Sequence, residues 1–128
     1  MSPERRGTLD GPLVVLDVEY VRHCFVLVLV NIGHDVAFRP QVKFSQQLVG
    51  SGGSAVVSAL PVWQRLTLLP PNRRIDVFFE TANLALSRGN ESTRFSATVS
   101  YADADGRDFV HTYDHDLTAY LELPQLEP

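Results

Sequence analysis

His111-Thr112-Tyr113-Asp114-His115-Asp116 is the one local stretch in which metal-capable side chains crowd together. On a strand, His111 and His115 share a face but stand about 13 Å apart at roughly 3.3 Å per residue. A zinc ion holds its nitrogens at about 2 Å, so one ion cannot take both without a sharp bend. His34 or Asp35 could complete a site with one of them, although nothing in the spacing demands it. Asp103, Asp105 and Asp108 offer the carboxylate oxygens that calcium prefers. Asp114, however, stands where an EF-hand loop needs a bidentate acid, and no helices flank the stretch. The tight turn of a hairpin accounts for Asp103 and Gly106 without any ion.

Other chemistries find less support. Acyl hydrolysis requires a nucleophile, a base and an orienting acid in one place, and no serine here sits in a Gly-x-Ser-x-Gly elbow. Gly50-Ser51-Gly52-Gly53-Ser54 lacks the following Gly-Lys-Ser/Thr of a phosphate-cradling loop and reads as a flexible surface connection. Cys24 is the sole cysteine, which excludes an intrachain disulfide, and beside an apolar run it reads as a small buried hydrophobe. Trp63, the lone tryptophan, either closes one end of the core or forms an exposed platform for a sugar or peptide.

The elements that must position these residues follow from periodicity. Phe25-Val26-Leu27-Val28-Leu29-Val30 is apolar on both faces of a strand and ends at Asn31-Ile32-Gly33. It is much shorter than the roughly 20 residues that cross a bilayer as a helix. It therefore reads as the central strand of a β core, spanning 23–32. Period-two alternation predicts a preceding strand from Val14 to Val21, a third with Val36, Phe38, Val42 and Phe44, a fourth over 74–81, and the cleanest over Phe95 to Tyr101. Pro40 in the third denies a ladder hydrogen bond and suggests a bulge or an edge. Residues 55–69 are ambiguous between a short strand and one helical turn, Pro70-Pro71-Asn72 signals a turn, and 87–93 reads as a loop.

Asp103-Ala104-Asp105-Gly106 has the acid-first, glycine-fourth pattern of a type I turn closed by a left-handed bulge. That turn sets Asp103 opposite Arg107, Tyr101 opposite Phe109, Val99 opposite His111 and Ala97 opposite Tyr113, with Phe109 inward and Thr112 and Asp114 outward.

The order of a strand, Asn31-Ile32-Gly33, Ala37, a strand with Val42 and Phe44, a Leu-rich segment ending in Pro70-Pro71-Asn72, then Tyr101-x-Asp103-x-x-Gly106-x-x-Phe109 resembles bacterial and archaeal immunoglobulin-like domains over residues 12–118. The resemblance implies an antiparallel β-sandwich of about seven strands used for adhesion, spacing or protein binding. It supplies no catalytic residue, and the paired cysteines of antibody domains are missing.

At 128 residues the chain fits one domain. The expected division is an N-terminal tail at 1–11, the sandwich at 12–118 and a C-terminal tail at 119–128. A net charge of −4, with Arg73-Arg74 the only internal basic pair, argues against nucleic acid. No apolar signal segment opens the sequence, so a cytoplasmic location is expected unless the chain is a piece of a larger secreted protein.

One face of the central strand carries Cys24, Val26, Val28 and Val30 and the other Phe25, Leu27 and Leu29. Only one can meet the opposite sheet, so segment 55–69, the tail Leu121-Glu122-Leu123-Pro124 or another protein must cover the second. The expected function is a non-catalytic interaction or assembly module with Val26, Val28, Val30 and Trp63 on its contact face. A protein partner or a second copy occupies that face, without cofactor, metal, nucleic acid or membrane. The alternatives are a metal-dependent enzyme using His34, His111 or His115, and a carbohydrate-binding module presenting Trp63 and Tyr113 in one plane.

Overall fold

A computed structural model describes residues 10–50, 54–87 and 93–120. The long strands are β1 (Val14–Val21), β2 (Cys24–Asn31), β3 (Ala37–Phe44), β7 (Arg74–Thr81), β8 (Arg94–Ala102) and β9 (Asp108–Asp116). Between β3 and β7 lie three two-residue strands, β4 (Val49–Gly50), β5 (Ala55–Val56) and β6 (Leu68–Leu69). A 3-10 turn at Val57–Ala59 and the single helical turn α1 (Val62–Arg65) share that span. A short helix α2 (Ala82–Ser87) follows β7, and a 3-10 turn at Leu117–Tyr120 follows β9.

The strands form a three-stranded antiparallel sheet, β1-β2-β7, facing a four-stranded one, β6-β3-β8-β9, with β4 and β5 paired separately. The fold is the expected all-β sandwich. Its core lies between the sheets, where Leu16, Phe25, Leu27, Leu29, Phe79 and Val99 are almost wholly inaccessible to water.

The β8–β9 hairpin has the expected register, with Tyr101 opposite Phe109, Val99 opposite His111 and Ala97 opposite Tyr113. Gly106 takes the left-handed conformation at φ +83°, and Asp103 and Arg107 share the closing backbone bond. The bulge expected at Pro40 is present: Phe38 pairs with Ala102 and Gln41 with Ser100, leaving Arg39 and Pro40 opposite one residue. Pro71 and Asn72 form the expected turn, with Asn72 at φ 64° where a type II turn tolerates asparagine.

Three local readings need correction. The β1–β2 hairpin turns on Arg22 and His23, both at positive φ (52° and 62°), so the central strand begins at Cys24 rather than 23. A two-residue turn of this kind matches the twist of the strands, but it usually recruits Asn and Gly, so its sequence carried no signal. Gly50 belongs to β4, where an added Cβ would collide with the Phe79 carbonyl oxygen, and is not part of a free loop. Residues 51–53, 88–92 and the tail from 121 lie outside the described residues, while Ala82–Ser87 is helical.

Segment 55–69 does not cover the outer side of β2. Its helical turn α1 packs on β3 and sets the Trp63 ring edge-on to Phe44 at 5.2 Å. Trp63 is 1% exposed and donates its indole N–H to the Val57 carbonyl at 2.8 Å. The segment closes one flank of the sandwich, so Trp63 belongs to the core and not to a contact face or a sugar platform.

Candidate functional site

Antiparallel register determines which side chains share the outer face of the β1-β2-β7 sheet. Val15, Val30 and Arg74 make one row, Asp17, Val28 and Asp76 the next, and Glu19, Val26 and Phe78 the third. Phe25, Leu27 and Leu29 point to the core, so the valines of β2 point away from it. Arg74 reaches from β7 to Glu19 on β1, Nη2 to Oε1 at 2.7 Å, and its Nε bonds Asp76 Oδ1 at 2.9 Å. That line runs diagonally over Val28, which lies between them on β2. The guanidinium and its stem thus roof Val28, leaving it 2% exposed, as long basic side chains do when their stems cover apolar surface.

The roof covers only the middle. Val26 and Val30 are half-buried, Phe78 is 46% exposed and Val21 is 49% exposed. Hydrogen bonds donated to Glu19, then Asp76, hold the Arg74 guanidinium above its ordinary pKa. Because all three groups are solvated, these pairs contribute only about 0–1 kcal/mol. Their importance is geometric: they separate two apolar ends of one face by an ionic bar.

The histidines serve a different purpose. β1 is an edge strand, and Val21 opposite Cys24 closes its hairpin, so its even-numbered residues turn their backbone groups outward. Side chains from β9 and the 3-10 turn after it meet these carbonyls. Tyr113 donates its hydroxyl to Val14 at 3.0 Å, His115 donates Nε2–H to Leu16 at 2.8 Å, and Tyr120 donates to Val18 at 3.3 Å. Tyr101 donates to Pro12 at 3.4 Å and also meets His111 Nε2 at 2.9 Å. A carbonyl only accepts, which fixes the proton of His115 on Nε2. Burial pushes the Tyr101 phenol up to about 12 and raises Tyr113 and Tyr120 as well.

His111 and His115 therefore sit on one face, as expected, with the Nε2 of each engaged by a different partner. His34 is on the exposed loop after β2 and does not join them. No three His, Cys, Asp or Glu side chains come together as a metal-holding group among the described residues. The Ser96 hydroxyl bonds Asp114 on the outer face of the four-stranded sheet, whereas His115 points the other way to the Leu16 carbonyl, so the three form no triad.

The acids of the β8–β9 turn line an open cleft of about 800 Å3 together with Asp10, Asp35 and Phe109. Asp103 accepts the N–H groups of Asp105 and Arg107 and pairs with the Arg107 guanidinium at 2.9 Å, and Asp105 pairs with the same guanidinium at 2.9 Å. Burial raises the Asp103 carboxyl, but the bonds and charge from Arg107 outweigh it and hold the group below the usual carboxylate range. Asp108 stands apart on β9 and does not line the cleft.

Two structural residues escaped the sequence reading. Asn31 is fully buried and ties four segments together. Its Oδ1 accepts from Leu13 and Gly33, and its Nδ2 donates to the Asp35 and Leu69 carbonyls. Glu80, 1% exposed beside the irregularity in the β2–β7 ladder, accepts the Thr81 N–H at 3.0 Å. Cys24 is half-buried at the start of β2 and shares the outer face with Val26.

Residues 4–121 match a family described as a domain of unknown function, DUF8453. No curated protein and no solved structure matches the sequence. No described helix is long and apolar enough to cross a membrane.

Proposed function

From the premise that the chain belongs to the DUF8453 family, whose description names no activity, we propose that it is a non-catalytic interaction and assembly module of immunoglobulin-like type. It self-associates through the outer face of the β1-β2-β7 sheet. The observation that carries this reading is the pair of exposed apolar side chains, Phe78 and Val21, beside the half-buried Val26 on an otherwise ordered sheet face. Contiguous exposed apolar surface of this kind is unfavourable in water and usually marks a contact.

The face has the symmetry that an isologous contact needs. A two-fold axis through Val28 lays the row of Glu19, Val26 and Phe78 over the row of Val15, Val30 and Arg74 of the second copy. With that axis lying in the contact plane across the strands, Val26 meets Val30, Glu19 meets Val15, and Phe78 meets the side chain of Arg74. The ionic bars of the two copies cross over Val28, which fixes register more than it adds affinity.

Size-exclusion chromatography with light scattering tests the proposal on the wild type and on Val26→Lys, with Thr98→Lys on the opposite sheet as the control. The expected result is a mass rising toward that of a dimer at high micromolar concentration, lost in Val26→Lys and kept in Thr98→Lys. A monomer at every concentration, or a dimer indifferent to Val26→Lys, overturns it.

A further inference from the structure

Each sheet of a sandwich has two edges, and an edge strand offers unpaired N–H and C=O groups to any passing chain. Three of the four edges here are protected. β1 has the outward carbonyls of Val14, Leu16 and Val18 occupied by Tyr113, His115 and Tyr120. β6 is only two residues long, and β7 is approached so closely by Gly50 that a Cβ would not fit. β9 is different: it runs nine residues as the outermost strand of its sheet, its pairing with β8 is free of bulges, and it contains neither proline nor lysine.

The hairpin register says which groups are free. Asp103 and Arg107 share the closing bond, so Tyr101 with Phe109, Val99 with His111 and Ala97 with Tyr113 are the hydrogen-bonded pairs. The backbone N–H and C=O of Val110, Thr112 and Asp114 therefore point away from β8, and no backbone bond to another described segment occupies them. Their side chains, with those of Asp108 and Asp116, line the outer face of the strand, where Asp108, Thr112 and Asp114 are exposed.

We propose that the free edge of β9 is a strand-addition site that captures an extended, basic segment of a partner protein. Main-chain bonds to Val110, Thr112 and Asp114 would supply affinity. Charge selects the occupant. Asp108, Asp114 and Asp116 give this edge three carboxylates, and Arg94 on β8, paired with Asp116, is the cation beside them. A second copy added edge to edge would set six carboxylates along the joint. In the fully overlapped register, centred on Thr112, Asp108 would lie opposite Asp116, a like-charge pairing that destabilises a ladder. A strand with lysine or arginine at alternate positions would instead place its cations beside those acids. The site is separate from the outer face of the β1-β2-β7 sheet and stands whether or not that face docks.

The probe is a capped peptide of about ten residues with alternating threonine and lysine, matched to the length of a strand. Its binding is followed by fluorescence anisotropy at low salt and by amide hydrogen exchange. Thr112→Pro is the blocking variant: it removes an outward N–H and the exposed Thr98–Thr112 hydroxyl bond but no backbone bond of the β8–β9 ladder, so the fold persists. Val110→Pro repeats the test at a second outward position. The expected outcome is slow exchange at Val110, Thr112 and Asp114 only when the peptide is present, and binding weakened about tenfold or more by either proline. The same peptide methylated on alternate backbone nitrogens should not bind. Three results would overturn the proposal: no binding, binding indifferent to both prolines and to methylation, or protection of those three amides in the free protein, which would mean the chain's own tail fills the edge.

Discussion

Asn31 illustrates how a polar residue can hold an apolar fold. Its amide satisfies two N–H groups and two carbonyls drawn from the strand entry at Leu13, the loop at Gly33 and Asp35, and β6 at Leu69. Each buried group left unpaired costs about 1–3 kcal/mol. Asn31→Leu should therefore lower stability in urea unfolding by about 3–5 kcal/mol, far more than a neutral change in volume. A loss under about 1 kcal/mol would show that water replaces the amide there. The phenols bonded to the Pro12, Val14 and Val18 carbonyls give a second expectation at this scale. Tyr101 holds its proton to about 12 when folded, whereas an unfolded tyrosine releases it near about 10. Between these values the folded state binds the extra proton, so stability present below about pH 10 is lost as pH rises toward 12. Thermal melts should fall across that window, and Tyr101→Phe should flatten the decline. Sequence marked Asn31 as the first member of a turn and Tyr101 as a member of a hairpin pair, but not the bonds that either makes. Those bonds depend on which distant segments become neighbours.

Elements were legible in proportion to how local their causes are. The alternation over 94–102 and the Asp103 to Gly106 turn determine a hairpin and its register by contacts a few residues apart, and both were readable in advance. Pro40 announced its bulge because a missing N–H is a property of one residue. The β1–β2 turn was unreadable for the opposite reason. Arg22 and His23 occupy a left-handed geometry that the sequence disfavours, imposed by two long strands whose pairing outweighs the local cost. That cost is of order 1 kcal/mol per residue. Arg22→Asn should recover part of it and raise stability by about 0.5 kcal/mol, read as a higher midpoint in urea at an unchanged slope. An unchanged or lower midpoint would mean that the arginine side chain contributes as much as its backbone loses. Segment 55–69 resisted reading because its turns answer to β3 and β4 across the molecule and to no period of their own.

At the scale of the whole molecule, two apolar faces on one strand were the informative sequence feature, and the sandwich accounts for one of them. The other was expected to be covered by segment 55–69, by the tail or by a partner. Segment 55–69 lies elsewhere and the tail is outside the described residues; among those residues an arginine from β7, stretched over Val28 to Glu19, covers the middle and leaves Val21, Val26, Val30 and Phe78 wholly or partly open. No sequence period reveals such a diagonal bridge, since it needs β1 and β7 to flank β2. Its consequence is a face with apolar ends and an ionic middle, the pattern from which self-association was argued. The most direct measurement is a series of amide and methyl NMR spectra recorded from low to high micromolar protein. Signals from Val15, Val21, Val26, Val30 and Phe78 should move together with concentration, while those of Lys43, Thr98 and Thr112 on the other sheet stay fixed. Spectra that do not change with concentration, or shifts confined to the β3-β8-β9 face, would contradict docking through the β1-β2-β7 sheet.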